Sequence, residues 1–384
     1  MTLPTILHCI TVYNGRDFVL PAIESALRID QSDAKIDVLV LDDASPAPGW
    51  SEELAAFCKE RNVMYYRTPR NLGIPRNVSL GLLTAVKRGY DYVVISNSDV
   101  LYPAGLISAM LPVVNQPKVG SVTAWSNNVS ICSLPNLDPN ENLHSQDVVD
   151  WLHTTVNGYF GDAAMDIPAG ISFCILIPTS VVEDVGIMDP CFGRGYCEET
   201  DWSLRSLNAG YRVCLAPGAF VFHHGRGSNL DAGLVSLNAT TVPENEAIID
   251  LRYPQFRSQV DAFIHSGILA RAHADALGHI VRSAARQFGY SLEVGWISRA
   301  DHRENDVRVC LSPDGFSSSA QVAFRGFCLN IPFDPQDAGG SIRTYFECEP
   351  NSINVFDRGK GVAQLAEAFP GQVARAHRNY PSRI

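Results

Sequence analysis

Buried-strand runs alternate with helical segments through the first 125 residues, and this alternation constrains the fold more than any other feature. Ile6–Val12 reads as a buried strand and Phe18–Leu27 as a helix. Ile36–Leu41 (IDVLVL) is a near-continuous apolar run, as expected of a strand covered on both faces in a parallel sheet. Ser51 is placed to N-cap the next helix, with Glu53 and Leu54 in its first turns. A short strand at Val63–Tyr66, a helix from Pro75 to Arg88, and strands at Tyr92–Ser96 and Val119–Trp125 continue the pattern. Parallel neighbours need long crossover connections, usually helical, so the pattern predicts an α/β fold with a mixed, mostly parallel sheet.

The character then changes. Residues Ser126–Met165 are rich in Asn, Pro and Asp and read as a long loop, a lid or an insertion, carrying one helix near Asp147–Val156. Ser172–Ile177 is strand-like, and Pro178 opens a short helix. Glu198–Asn208 reads as a helix ended by Gly210, followed by strands at Tyr211–Leu215 and Ala219–Phe222. After Gly225-Arg226-Gly227-Ser228 a polar stretch reaches Phe256. This places a boundary between domains 1–250 and 251–384. Apolar positions 260, 264, 268, 277, 280, 281, 284 and 288 suit amphipathic helices. Strand-like runs at Val307–Leu311, Cys328–Ile331 and Arg343–Phe346 follow, and Gly339-Gly340 reads as a turn. The C-terminal extension is thus α/β or mainly helical, with a role in acceptor binding or oligomerisation left open.

Charge and composition exclude several classes. A net charge of −11 gives no basic field for phosphate backbones, so nucleic acid is not an expected partner. No apolar run approaches the roughly 18 residues of a membrane span; Ile171–Val182 is broken by Pro178. The N-terminus has no charged segment leading into an apolar one, and the ten cysteines are scattered without a CxxC. These features predict a cytoplasmic chain with reduced thiols. Association with the inner face of a membrane stays open, as does homo-oligomerisation. Arg375, Arg378 and Arg383 form either a solvated tail or a phosphate-facing one.

Chemistry gathers where the strands end. Ligands of open α/β sheets bind beyond the carboxyl ends of the strands. The first strand runs into Thr11-Val12-Tyr13-Asn14-Gly15, the second into Asp42-Asp43-Ala44-Ser45, and the Tyr92–Ser96 strand into Asn97-Ser98-Asp99. An aromatic there can stack on a base, and a carboxylate can accept from a base or a ribose hydroxyl. A second carboxylate can hold a divalent ion whose other ligands come from phosphates. Farther on, Glu198-Glu199-Thr200-Asp201-Trp202 opens a helix and Phe222-His223-His224-Gly225 follows a strand. A neutral imidazole is a suitable further ligand for Mn²⁺ or Mg²⁺.

Over about residues 3–228 these motifs, in this order, resemble the family-2, inverting glycosyltransferases of GT-A fold. VLVLDDAS looks like that family's nucleotide motif, RNLGIPRNVSLGLLTA like its Asn- and Gly-bearing segment, and VVISNSDV like its metal motif. The stretch from IPAGISF to FHHGRGS resembles its closing half, most of all in the rhamnosyltransferase-like members. The resemblance implies that Thr11 and Tyr13 contact the base of a UDP- or dTDP-sugar, with Asp42, Asp43, Arg76, Asn97 and Ser98 also on the donor. It implies Asp99 and His223, or alternatively His224, as ligands of Mn²⁺ or Mg²⁺. It makes Glu199 the general base and places Glu198, Asp201 and Trp202 toward a glycan or lipid-linked acceptor. Three positions depart from the family pattern: NSD has an amide in place of one carboxylate, Glu199 replaces an aspartate, and IPTS stands where basic residues are common. These departures motivate a rival reading, a non-catalytic nucleotide-sugar-binding or scaffold protein. A nucleotidyltransferase is disfavoured, because VYNGRD has one glycine and no lysine.

Overall fold

The computed structural model describes residues 2–129, 131–134, 145–225, 242–294, 307–311, 319–324, 327–334, 336–355 and 362–375. They form two compact units that divide between residues 272 and 273. Among the described residues no helix is long and apolar enough to cross a membrane, and the cysteines are free thiols.

The first unit is built on a nine-stranded mixed sheet. In chain order its strands are β1 Thr5–Val12, β2 Lys35–Asp42, β3 Met64–Arg67, β4 Tyr92–Asn97, β5 Val100–Leu101, β6 Val119–Ser126, β7 Met165–Asp166, β8 Cys174–Pro178 and β9 Arg212–His223. The order across the sheet is β3-β2-β1-β4-β8-β6-β9-β5, with β7 paired to β9. The longest pairings, β1 with β2 and β6 with β9, are parallel, while β8 runs antiparallel to both its neighbours. This is the mixed α/β architecture expected from the strand runs. The two strands expected around residues 211–222 are one strand, β9, whose register against β6 slips between Ala216 and Phe220.

Helices cover both faces: α1 Arg16–Leu27, α2 Trp50–Glu60, α3 Ile74–Arg88, α4 Leu106–Val114, α5 Gln146–Phe160, α6 Thr179–Val185 and α7 Glu198–Asn208. Ile10, Val40, Val94 and Val122 pack one side of the sheet with α1, α2 and α4. Leu7, Leu39, Ile95 and Trp202 pack the other with α3, α6 and α7. Successive strand residues face opposite ways, which is why one buried run feeds both layers. Ser51 does not cap α2. The helix begins one residue earlier behind Gly49, and the Ser51 hydroxyl donates to Asp42 Oδ2 at 2.6 Å.

The polar stretch before Phe256 holds a helix, α8 Pro243–Arg252, followed by α9 Phe256–His265 and α10 Ile268–Phe288, within which the two units divide.

The second unit carries a six-stranded sheet: β10 Tyr290–Val294, β11 Val307–Leu311, β12 Ser319–Phe324, β13 Phe327–Pro332, β14 Ser352–Val355 and β15 Val373–Arg375. β10 lies between β11 and β14, parallel to both. The unit is therefore α/β. Gly339-Gly340 and Arg343–Phe346, expected as turn and strand, both lie in helix α11 Ala338–Phe346, which precedes α12 Val362–Ala368. The Asp337 carboxylate accepts from the Gly340 amide at 2.9 Å, and Ile342 and Phe346, four apart, are buried on one helical face. Arg378 and Arg383 of the basic tail lie outside the described residues.

Candidate active site

Parallel register brings the strand ends together: Val12 lies opposite Asp42, and Thr11 opposite Asn97. Both aspartates at the end of β2 are buried. Asp42 accepts from the Ser45 amide (2.9 Å), the Ser51 hydroxyl (2.6 Å) and the Tyr65 hydroxyl (2.8 Å), with Arg67 Nε at 3.6 Å. Burial alone would raise its pKa, but these donors hold it below the usual carboxylate value. Asp43 accepts from the Thr68 hydroxyl (3.0 Å) and the amides of Leu72 (2.7 Å) and Gly73 (2.9 Å). Thr11 is half-buried and donates its hydroxyl to the Ser96 carbonyl at 3.1 Å. Tyr13 is half-buried. Arg76 is exposed on α3, its guanidinium 3.4 Å from the Leu72 carbonyl.

The turn Asn97-Ser98-Asp99 ends β4, and β5 then pairs antiparallel with the end of β9, setting Val100 opposite His223. His223 Nε2 lies 3.2 Å from Asp99 Oδ1, and both residues are buried. His223 Nδ1 is 3.0 Å from the Asn128 carbonyl. A carbonyl only accepts, so Nδ1 carries a proton; a neutral ring would then turn its Nε2 lone pair to the Asp99 carboxylate, whereas a protonated ring donates to it. Asn97 Nδ2 stands 3.3 Å from the same nitrogen. Asn127 holds the backbone of His223 from both sides, accepting from its amide (2.8 Å) and donating to its carbonyl (3.0 Å). The Phe173 ring stacks on the imidazole at 5.5 Å. Burial lowers the His223 pKa, but the Asp99 charge outweighs it and the net direction is upward; burial likewise raises Asp99, and His223 brings it down.

A lone pair facing a carboxylate is relieved by a proton or a cation between them. Cis ligands of an octahedral ion with bonds of about 2.1 Å stand about 3 Å apart, so the Asp99–His223 pair fits one edge of such an ion. Among the described residues no group of three or more His, Cys, Asp or Glu side chains could hold a metal. Ser98 is buried in the turn. Of the two histidines, His224 packs its ring on Phe18 (4.7 Å) and Phe222 (4.8 Å), while its amide donates to the Asp99 carbonyl at 2.9 Å. Its imidazole is thus engaged with aromatics, and His223 faces the carboxylate.

Glu198 and Glu199 open α7 behind two left-handed residues, Tyr196 and Cys197, each at φ 72°. Glu198 is 3% exposed and Glu199 half-buried. The Oε2 atom of each is buried with no hydrogen-bond partner among the described residues. Burial raises both pKa values, that of Glu198 well above the ordinary range, and the Glu199 charge adds to the rise at Glu198. Asp201 and Trp202 turn inward instead of toward an acceptor. Asp201 is fully buried and takes bonds from Arg205 Nε (2.9 Å), Arg252 Nη1 (2.8 Å) and the Tyr253 hydroxyl (3.0 Å). The Trp202 indole is fully buried too, its N–H donating to the Gly186 carbonyl at 2.8 Å. One turn of helix thus presents two carboxylates without full partners and buries the next two candidates as anchors.

Short contacts connect these groups. Segment 170–173 reaches α7 through the Gly170 amide on Ser203 Oγ (3.0 Å), and it reaches the Asp99–His223 pair through the Phe173 ring. Gly73, held by Asp43, sits so close to the backbone of the loop before α7 that a Cβ would lie 2.3 Å from the Gly193 carbonyl. Sequence reasoning missed Asn127, Asn128 and Phe173. The two asparagines follow the end of β6, where the rule applied to the other strands would have found them.

Residues 8–164 match the family model described as Glycosyl transferase family 2. The match supports glycosyl transfer as the chemistry of that segment, and it ends before Glu198, Glu199 and His223. No curated protein shows significant sequence similarity to the chain. Among solved structures, GalNAc-T7 with UDP, GalNAc and Mn²⁺ is similar at 13% identity and a TM-score of 0.46, over 58% of this chain and 44% of that one. The chain thus spans less than half of that protein's length. A mannosyltransferase from Pyrobaculum calidifontis in complex with GDP-Man and Mn²⁺ is 14% identical, with a TM-score of 0.44 and coverage of 74% and 76%. S. aureus TarS 1–349 is 14% identical, with a TM-score of 0.40 and coverage of 73% and 80%.

Proposed function

We propose that the chain is an inverting, metal-assisted glycosyltransferase that moves a hexosyl or deoxyhexosyl group from a UDP- or dTDP-sugar to a hydroxyl of a glycan or lipid-linked acceptor. The observation that carries this reading is the buried Asp99–His223 pair at 3.2 Å, with the imidazole Nδ1 held at the Asn128 carbonyl, at an edge where the carboxyl ends of three parallel strands meet.

Asp99 and His223 would hold the divalent ion, and a mixed oxygen and nitrogen pair favours Mn²⁺ over Mg²⁺. When bound, such an ion offsets the charge that builds on the leaving diphosphate. The remaining work belongs to the chain. Tyr13 offers a face to the base, and Asn97, Ser98 and Arg76 line the donor side. Asp42 and Asp43 keep the loops after β2 and before α3 in place. Glu199 takes the acceptor proton as the acceptor oxygen bonds to the anomeric carbon. The bond from that carbon to the phosphate oxygen breaks, and the nucleoside diphosphate leaves with the electron pair. Attack from the face opposite the leaving group inverts the anomeric centre. Glu198, whose pKa is raised by burial and by the Glu199 charge, stands beside Glu199 on the acceptor side.

A thermal-shift panel of UDP-glucose, UDP-GlcNAc, dTDP-rhamnose and GDP-mannose, each with and without Mn²⁺, tests the reading. A ligand that binds only the folded state raises Tm by mass action. The expected result is a metal-dependent shift with a UDP or dTDP donor that Asp99→Ala removes. A shift that survives Asp99→Ala unchanged would overturn the metal assignment. Donor binding without transfer or donor hydrolysis over a broad acceptor panel would favour the non-catalytic alternative.

A further inference from the structure

We infer that helix α8 belongs to the active-site apparatus, and that Asn245 is a positioning residue that holds the loop presenting Glu198 and Glu199; this rests on the proposed role of Glu199 as base. Asn245 lies near the start of α8, outside the segment that matches the family model, and is 7% exposed. Its Nδ2 lies within hydrogen-bond distance of three main-chain carbonyls: Phe192 at 3.1 Å, Gly195 at 2.7 Å and Tyr196 at 2.9 Å. An amide nitrogen has two protons, so three acceptors saturate it. All three belong to the turn that leads into α7.

That turn needs holding. Tyr196 and Cys197 both adopt left-handed backbone, which a side chain disfavours. Two such residues in succession aim the first turn of α7, where both glutamates sit. The far end of α8 grips the same region. Arg252 Nη1 is 2.8 Å from both Asp189 Oδ2 and Asp201 Oδ1, on either side of the turn. Ile249 packs with Phe192 and Leu204 between them. On another side, Gly73 abuts the backbone at Gly193 and Arg194, and the Ile74 amide donates to the Arg194 carbonyl at 3.1 Å. The loop is thus clasped by α8 and by the Asp43–Gly73 segment of the donor side. Asn245 bonds to the part whose backbone is least favoured on its own.

The test compares Asn245→Ala with Val113→Ala, a core substitution in α4 away from this loop. Turnover is read as UDP or dTDP release from the donor selected by the thermal-shift panel, donor affinity by titration, and amide exchange by peptide. Misplacing a catalytic group slows the chemical step while leaving donor binding intact. For Asn245→Ala the expected result is turnover lower by about 10- to 100-fold, donor Kd changed less than about twofold, and faster exchange across residues 192–199. Val113→Ala should lose Tm and keep turnover. If turnover of Asn245→Ala stays within about twofold of Val113→Ala, or donor affinity falls in step with turnover, the positioning role is wrong. If the wild-type protein turns over no donor, the proposed function fails, and the exchange arm still decides whether Asn245 holds the loop. Unchanged exchange at residues 192–199 overturns the clasp itself.

Discussion

Two adjacent acidic pairs in the first unit have opposite fates. At Asp42-Asp43 every carboxylate oxygen accepts at least one hydrogen bond, and Asp42 is held below its ordinary pKa. At Glu198-Glu199 each side chain keeps one buried oxygen without a partner among the described residues, and both pKa values are raised. A carboxylate whose lone pairs are filled is a poor proton acceptor and a good strut. One left unsatisfied in a buried place destabilises the fold unless something else justifies it. In the acidic pair that most resembles a nucleotide motif the carboxylates are thus already occupied within the protein, and each side chain of the less typical EE pair keeps an unfilled oxygen.

The most severe way to break this contrast is Glu199→Gln. If the unfilled carboxylate is the base, the amide keeps shape and cannot take the acceptor proton. Transfer should fall by roughly 10²- to 10⁴-fold, with donor affinity unchanged by titration. Transfer at the wild-type rate would show that the unfilled oxygen is not the catalytic one.

Asp42→Asn tests the other half. The amide nitrogen cannot accept from the Ser51 and Tyr65 hydroxyls, so a buried cluster loses partners. The expected cost is roughly 1–3 kcal/mol by chemical denaturation near neutral pH, with a smaller change in turnover. The pH dependence has a definite sign. Asp42 titrates lower in the folded protein than in the unfolded chain, where the value is about 3.9. Its contribution is present above that value and lost as pH falls through the folded pKa. The gap between Asp42→Asn and wild type should therefore narrow in acid. A gap that widened in acid would sink the strut assignment.

Most of the first sheet was legible because parallel strands announce themselves: a run such as IDVLVL has few other homes. The residue types at the strand ends were legible for the same reason, since β1, β2 and β4 stop where their polar residues begin. Their occupation was not. Apart from the Ser45 amide, the donors to Asp42 and Asp43 come from Ser51 to Gly73, 9 to 30 residues along the chain, and no local pattern tells a filled carboxylate from an open one. Asn127 reaches His223 across 96 residues, a pairing that exists only once β6 and β9 are neighbours. Helix α8 was hidden because its buried face carries Asn245 beside Ile249, so apolar periodicity barely marks it. Residues 343–346 misled for the opposite reason: four residues with a buried aromatic read equally well as strand or helix, and Asp337 capping the Gly340 amide decides for helix.

The smallest expected effect concerns Glu198 and sharpens the comparison most. Burial, with the Glu199 charge beside it, raises its pKa in the folded protein above the unfolded value of about 4.3. The sign is then opposite to that of Asp42. Stability linked to Glu198 is complete below the unfolded pKa and is lost as pH climbs toward the folded one, because the unfolded chain releases a proton that the folded protein retains. Glu198→Gln removes that penalty while keeping the side chain polar and close to isosteric. Its Tm should exceed wild type at pH 8, with the difference closing toward pH 4. If the variant is instead less stable than wild type at pH 8, Glu198 is a satisfied carboxylate like Asp42, and the two acidic pairs do not differ in kind.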